Sequence, residues 1–180
     1  MSRTITALAL APLTAAAVFA TGSLLFSALT SHLTALPLLA GAALYCVLHF
    51  ARPKSRFFYV LAHELSHALA ALLSGVKIRK ISVRRNSGYV ALNATSTFIS
   101  LAPYFIPFYA VAAGLAYGLA AFFTDMSPYR PVFTGVAGFF LAFHALNTGD
   151  ILTGPLQSDL KKAGGALFSV SMVLLLNSLG

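Results

Sequence analysis

The sequence predicts an all-α polytopic membrane protein of about six transmembrane helices, with a small β-hairpin after the third. Three observations predict it. Of 180 residues, 58% are hydrophobic and only 9% are charged, whereas about a quarter of the residues in a soluble domain carry charge. The mean hydropathy of +0.83 makes lipid the solvent. The apolar residues also fall in runs that approach or exceed the roughly 20 needed to cross a bilayer. The same figures exclude a disordered chain, which combines low hydrophobicity with high net charge. A single cysteine, Cys46, excludes an internal disulfide framework and any cysteine-cluster metal site. Twelve Lys and Arg against four Asp and Glu leave a formal charge of +8. These basic residues stand in short clusters between apolar runs, so the lipid bilayer and its anionic headgroups, not nucleic acid, are the partner they suggest.

In order, the runs are 5–29, 33–51, 57–74, 95–124, 132–148 and 163–179. Together they form a single membrane domain, 1–180, with no room for a soluble one. Arg3 and small residues near Ala20 resemble a cleaved signal peptide. The apolar stretch continues through Leu29, longer than a signal core, so a retained span is expected. The fourth run is too long for one straight crossing and contains Pro103 and Pro107. It is expected to kink, or to split into a short re-entrant piece and a span. Gly114 and Gly118 form a GxxxG pair there, expected to serve packing within the chain.

The segment 76–93, VKIRKISVRRNSGYVALN, is unlike its surroundings. Ile81 and Val83 alternate with polar residues, and Asn86-Ser87-Gly88 signals a turn. A β-hairpin at the membrane surface is expected, carrying Lys77, Arg79, Lys80, Arg84 and Arg85. If six spans alternate, the hairpin and the linker 149–162 share one side, with Lys161 and Lys162. Arg3, Arg52, Lys54, Arg56 and Arg130 fall on the other. Seven basic residues against five lean the hairpin side toward the cytoplasm.

The four acids are Glu64, Asp125, Asp150 and Asp159. The only glutamate sits mid-span in Ala62-His63-Glu64-Leu65-Ser66-His67, an HExxH motif. Positions i and i+4 share one helix face, so His63 and His67 can bind one zinc ion. Glu64 beside them can take a proton from water, whose pKa zinc lowers to about 7. Ionisable groups at that depth are costly and usually functional, which argues against a chance match. A catalytic zinc site has three protein ligands and an open position. No second glutamate follows the motif, and no Gly and His in metzincin spacing, so the third ligand is an aspartate or a distant histidine. Asp125 reads as a solvated loop carboxylate. Asp150 and Asp159 lie in a linker broken by Gly149, Gly154 and Pro155, which could dip inward. Asp159 could equally be a helix cap. His144 reads as a hydrogen-bonded bundle histidine, and His32 and His49 as interfacial ones.

On HELSH within an apolar helix, the β-element after it and a late Asn/Asp motif before another helix, the chain resembles the site-2 protease family of intramembrane zinc metalloproteases. It looks like a small, divergent branch without accessory domains. The resemblance covers 57–180, a metalloprotease-like core, and leaves 1–51 as two additional spans. It implies one zinc per chain and a third ligand from an Asn…Pro…Leu-Asp-Gly motif at a helix start. This chain has Asn147, Pro155 and Gln157-Ser158-Asp159-Leu160, without Asp-Gly. Position favours Asp159, with Asp150 the runner-up through its closeness to Asn147. Asn147 would contact substrate or support an oxyanion. The implied activity is hydrolysis of peptide bonds in or near transmembrane segments of another membrane protein, by a multi-pass protein of a prokaryotic cell membrane. The hairpin would then offer a strand edge to an unwound substrate. A non-catalytic binding or assembly factor of the same ancestry is the alternative. A metal transporter is disfavoured by the lack of paired acids in other spans.

Overall fold

The structure, a computed structural model, describes residues 3–29, 32–51 and 56–179. Its elements in chain order are α1 (Arg3–Leu29), α2 (His32–Ala51), α3 (Phe57–Leu73), β1 (Ile78–Val83), β2 (Gly88–Leu92), α4 (Thr97–Phe105), α5 (Phe108–Ala121), a 3-10 turn at Ser127–Tyr129, α6 (Arg130–Thr153), α7 (Ser158–Ala163) and α8 (Ala166–Leu179). The chain is mostly helical with one two-stranded antiparallel sheet. Among the described residues, Arg3–Ser23 and Ser127–Thr153 are long and apolar enough to cross a membrane, and α4 with α5 makes a third if the bent pair counts as one. Two or three candidate spans therefore stand where six were expected. For α3 and α8 the shortfall is one of length. The 17 residues of α3 reach only about 25 Å at 1.5 Å per residue, against a hydrocarbon core of about 30 Å.

The long fourth run breaks as its prolines foretell. α4 and α5 meet at a bend of 76°. The residue before Pro107, Ile106, is extended (φ −92°, ψ 108°), in keeping with the clash by which a proline ring disfavours the helical region for its predecessor. Pro103 is accommodated inside α4. The last run also breaks: Gly164 (φ +150°) and Gly165 (φ +89°) adopt backbone angles that favour glycine and separate α7 from α8.

Two helix pairs run parallel. Along α2, Leu38, Tyr45 and His49 meet Gly138, Phe143 and Asp150 of α6 in the same order. The two backbones touch where side chains are absent, since a Cβ on Gly41 would fall 1.8 Å from the Gly135 carbonyl oxygen and one on Gly138 2.1 Å from that of Leu38. At Gly114 and Gly118, where packing was expected, nothing lies within 4 Å of such a Cβ among the described residues. In the second pair, the Arg3 guanidinium of α1 reaches the Lys162 carbonyl just before α8, and the Thr21 hydroxyl donates to Ser178 near its end. Six strictly alternating spans would make both pairs antiparallel, so that arrangement does not hold.

The hairpin is present as expected. Ile81 faces Val90 and Val83 faces Gly88, with a bulge between Ile78 and Lys80. Its base packs on an apolar cluster in which Ala70 and Ala71 of α3 meet Ile99 and Ala102 of α4. A second cluster joins Leu101 and Tyr104 of α4 to Leu160 and Ala163 of α7 and Val173 of α8.

Candidate metal centre

The site begins with the stripe on α3. Val60, Glu64, His67, Ala68 and Ala71 recur at three- and four-residue intervals and are buried. His63 lies one turn before His67, their rings 4.8 Å apart. Alanines at 70 and 71 let α4 approach closely, which brings a backbone carbonyl to His67: Nδ1–H donates to Ile99 O at 2.7 Å. A carbonyl only accepts, so the proton sits on Nδ1. His63 Nδ1 lies 3.2 Å from the Tyr59 hydroxyl, one turn back on the same helix.

The third group comes from 96 residues away. α7 is pinned by Leu160 and Ala163 in the second cluster, and the Ser169 hydroxyl donates to the Leu160 carbonyl at 2.9 Å. This presents Asp159 to the histidines. Its Oδ2 lies 3.3 Å from His63 Nε2 and 3.5 Å from His67 Nε2. One ligand atom from each residue lies within 4.8 Å of the others, the single such group of His, Cys, Asp or Glu among the described residues. Bonds of roughly 2.0–2.1 Å to a tetrahedral zinc would set adjacent ligand atoms about 3.3 Å apart. The two His–Asp separations fit that spacing. The fixed Nδ1 of His67 and the partnered Nδ1 of His63 are the outer hydrogen bonds that zinc histidines require. Asp159 caps no helix: Gln157 holds that position and makes no side-chain cap.

Glu64, 6% exposed, borders a cleft of about 460 Å3 together with His67, Asp159, Lys162 and the strand β2. β2 pairs with β1 on one edge only, the sheet having two strands. Gly88 meets Glu64 directly, and a Cβ there would lie 2.6 Å from Glu64 Cγ. A second cleft, of about 410 Å3, lies across α3 and is lined by Arg56, Tyr59, Asn147, Asp150 and Gln157.

The other candidates lie apart from this cluster. Asp150 pairs with His49 at 3.5 Å, and His49 Nδ1 lies 3.3 Å from the Tyr45 hydroxyl. His49, expected at the interface, is buried within the chain. Asn147 donates to the Tyr45 hydroxyl and to the Phe143 carbonyl, both at 2.7 Å. With both N–H groups spent, it has none left for an oxyanion. His144 pairs with Asn177 at 3.3 Å. Asp125 is a loop carboxylate that accepts the Ser127 N–H at 3.0 Å, and hydrogen bonding from Ser127 holds it below the usual carboxylate range. The side chain of His32, and all of Arg52 and Lys54, lie outside the described residues. Two contributors went unremarked in the sequence, Tyr59 and the Ile99 carbonyl. Tyr59 was findable, standing at i−4 from His63 on the same face. The Tyr104 hydroxyl is the one buried side-chain polar atom without a hydrogen-bond partner among the described residues, and its ring lies edge-on to His63 at 5.4 Å.

An HExxH helix joined by an aspartate from a later helix, in an apolar helical chain, is the pattern of a membrane metallopeptidase. The chain belongs to the Peptidase M50B-like family, within the site-2 proteases: the family model matches residues 33–147. The match takes in α2 and ends at Asn147, before both aspartates. No curated protein and no solved structure matches the chain.

Proposed function

We propose that this chain is an intramembrane zinc endopeptidase that cleaves peptide bonds in or near transmembrane segments of other membrane proteins. The observation that carries the reading is the convergence of His63 Nε2, His67 Nε2 and Asp159 Oδ2 beside the buried Glu64. His63, His67 and Asp159 would hold zinc, which supplies Lewis-acid polarisation of the scissile carbonyl and acidifies water. Glu64 takes the proton of the attacking water and returns it to the leaving nitrogen. The open edge of β2 binds the unwound substrate as an added strand along the cleft, its backbone hydrogen bonds being independent of side-chain identity. Asn147 lines the other cleft and does not reach a substrate laid along β2. Glu64→Gln is expected to retain one zinc per chain. It should remove the membrane-protein fragments that wild-type cells accumulate, a loss of about 10²–10⁴ in rate for one proton-transfer group. Identical fragment patterns in both strains would sink the reading.

The chain is proposed to be multi-pass, with crossings at α1, α2, the stretch from α3 to α5 taken together, α6 and α8. The parallel pairs support this, because α2 and α6 can share a direction only if the chain between them returns once. Arg3, Arg56, Lys161 and Lys162 then share the end where Asp150 and Asp159 lie, and Arg130 stands at the other. Among residues at the helix ends, with the five basic residues of the hairpin outside the count, four against one place the first end on the cytoplasmic side, in anionic headgroups. Single cysteines at Phe57 and Ser158, in a Cys46→Ser background, should label from the same side of the membrane. Labelling from opposite sides would restore six alternating spans.

A further inference from the structure

Pro103 lies inside α4, two residues before its end. Proline has no backbone N–H, so the carbonyl four residues earlier loses its helical donor. That carbonyl belongs to Ile99, and it is the one that accepts His67 Nδ1–H at 2.7 Å. Ile99 is 1% exposed and His67 9%, so water is a poor substitute for either partner. His63, by contrast, lies within α3, whose own turns occupy its carbonyls, and it finds a side chain instead, Tyr59. At Pro155 the freed carbonyl, that of Ile151, is taken by the Gly154 N–H. Pro103 is therefore placed where a missing donor serves a metal-binding side chain.

We infer that Pro103 is a positioning residue for the metal centre. By withholding a backbone donor inside α4 it reserves the Ile99 carbonyl for His67, holds the imidazole proton on Nδ1 and leaves Nε2 as the ligand atom. The consequence for zinc rests on the function proposed above. The hydrogen bond and the tautomer belong to the chain itself and are testable without metal.

The experiment uses the full chain in detergent, labelled with 15N-histidine. His67→Ala assigns the His67 signals. In metal-free wild type, read at a pH high enough that the ring is neutral, His67 should show the Nδ1–H tautomer. Pro103→Ala supplies an N–H that competes for the Ile99 carbonyl. It should mix the His67 tautomers and weaken zinc binding, read by competition with a chromophoric chelator, by about 10-fold or more, the range for lost outer-sphere hydrogen bonds. Lactic acid at position 103, which replaces the peptide by an ester, has neither ring nor N–H. It should keep both the wild-type tautomer and the wild-type affinity. Pro107→Ala, which restores a donor toward the Pro103 carbonyl and not toward Ile99, should change neither. An unchanged His67 tautomer in Pro103→Ala overturns the inference, as does an ester variant as weak as the alanine one. Wild type that binds no zinc, yet shows the expected tautomer response, would remove the zinc function and leave the Pro103 inference standing.

Discussion

Two histidine–aspartate constellations stand in this bundle, one between α3 and α7 and one between α2 and α6. In the first, two imidazoles face a single carboxylate, their Nδ1 atoms held by Ile99 and Tyr59 and both Nε2 atoms turned inward. In the second, one imidazole is engaged on both sides, Nδ1 by Tyr45 and Nε2 by Asp150. His63 and His49 carry the same kinds of partner, a tyrosine hydroxyl at Nδ1 and a carboxylate at Nε2. The difference is His67, which brings a second Nε2 to the same carboxylate oxygen. Three donor groups converging on one point can hold a metal ion, whereas a single pair is an ordinary ion pair, so coordination is decided by how many ligand atoms meet.

The comparison can be broken by metal analysis. Asp159→Ala should lose its zinc outright while Asp150→Ala keeps one per chain; loss of zinc from the Asp150 variant would erase the distinction. His49→Ala should lower stability by about 0.5–3 kcal/mol, the usual range for removing a buried side chain with its contacts, with zinc content intact. A denaturation series on the zinc-loaded protein separates the two effects. Tyr59→Phe sharpens the comparison from the other side, weakening zinc by about 10-fold through the loss of one outer hydrogen bond while the fold persists. Affinity equal to wild type would show that His63 needs no such partner. Asp125→Asn belongs to neither constellation and should leave zinc content and melting temperature as they are.

Much of this was legible in the sequence. The i, i+4 spacing put His63 and His67 on one face, and alternation with Asn86-Ser87-Gly88 marked the hairpin. Pro107 marked the bend, although Pro103, equally a helix breaker by type, sits inside α4. The ranking of Asp150 against Asp159 was not legible from spacing, because the glycines make both read as one short linker, whereas α6 continues through Gly149 and Asp150 to Thr153. It depends on glycines at 41, 135 and 138, which let α2 lie against α6 and bring His49 to Asp150. The partner of His67 was invisible for a different reason: it is a main-chain oxygen, and no residue type announces one. The direction of the helices was lost in the same way. Apolar runs show where helices form, but parallel packing of α2 on α6 is set by contacts nearly 100 residues apart.

If the chain cuts a substrate as proposed, the contact between Gly88 and Glu64 bears on where it does so. The first residue of β2 rests on the glutamate with no side chain between them. Under the function proposed above, a peptide laid along that strand would be measured from a fixed zero. Its scissile bond would be set by the count of residues from Gly88, and a substrate slipped by two residues would be cut two residues further along. Gly88→Ala would move the zero mark itself.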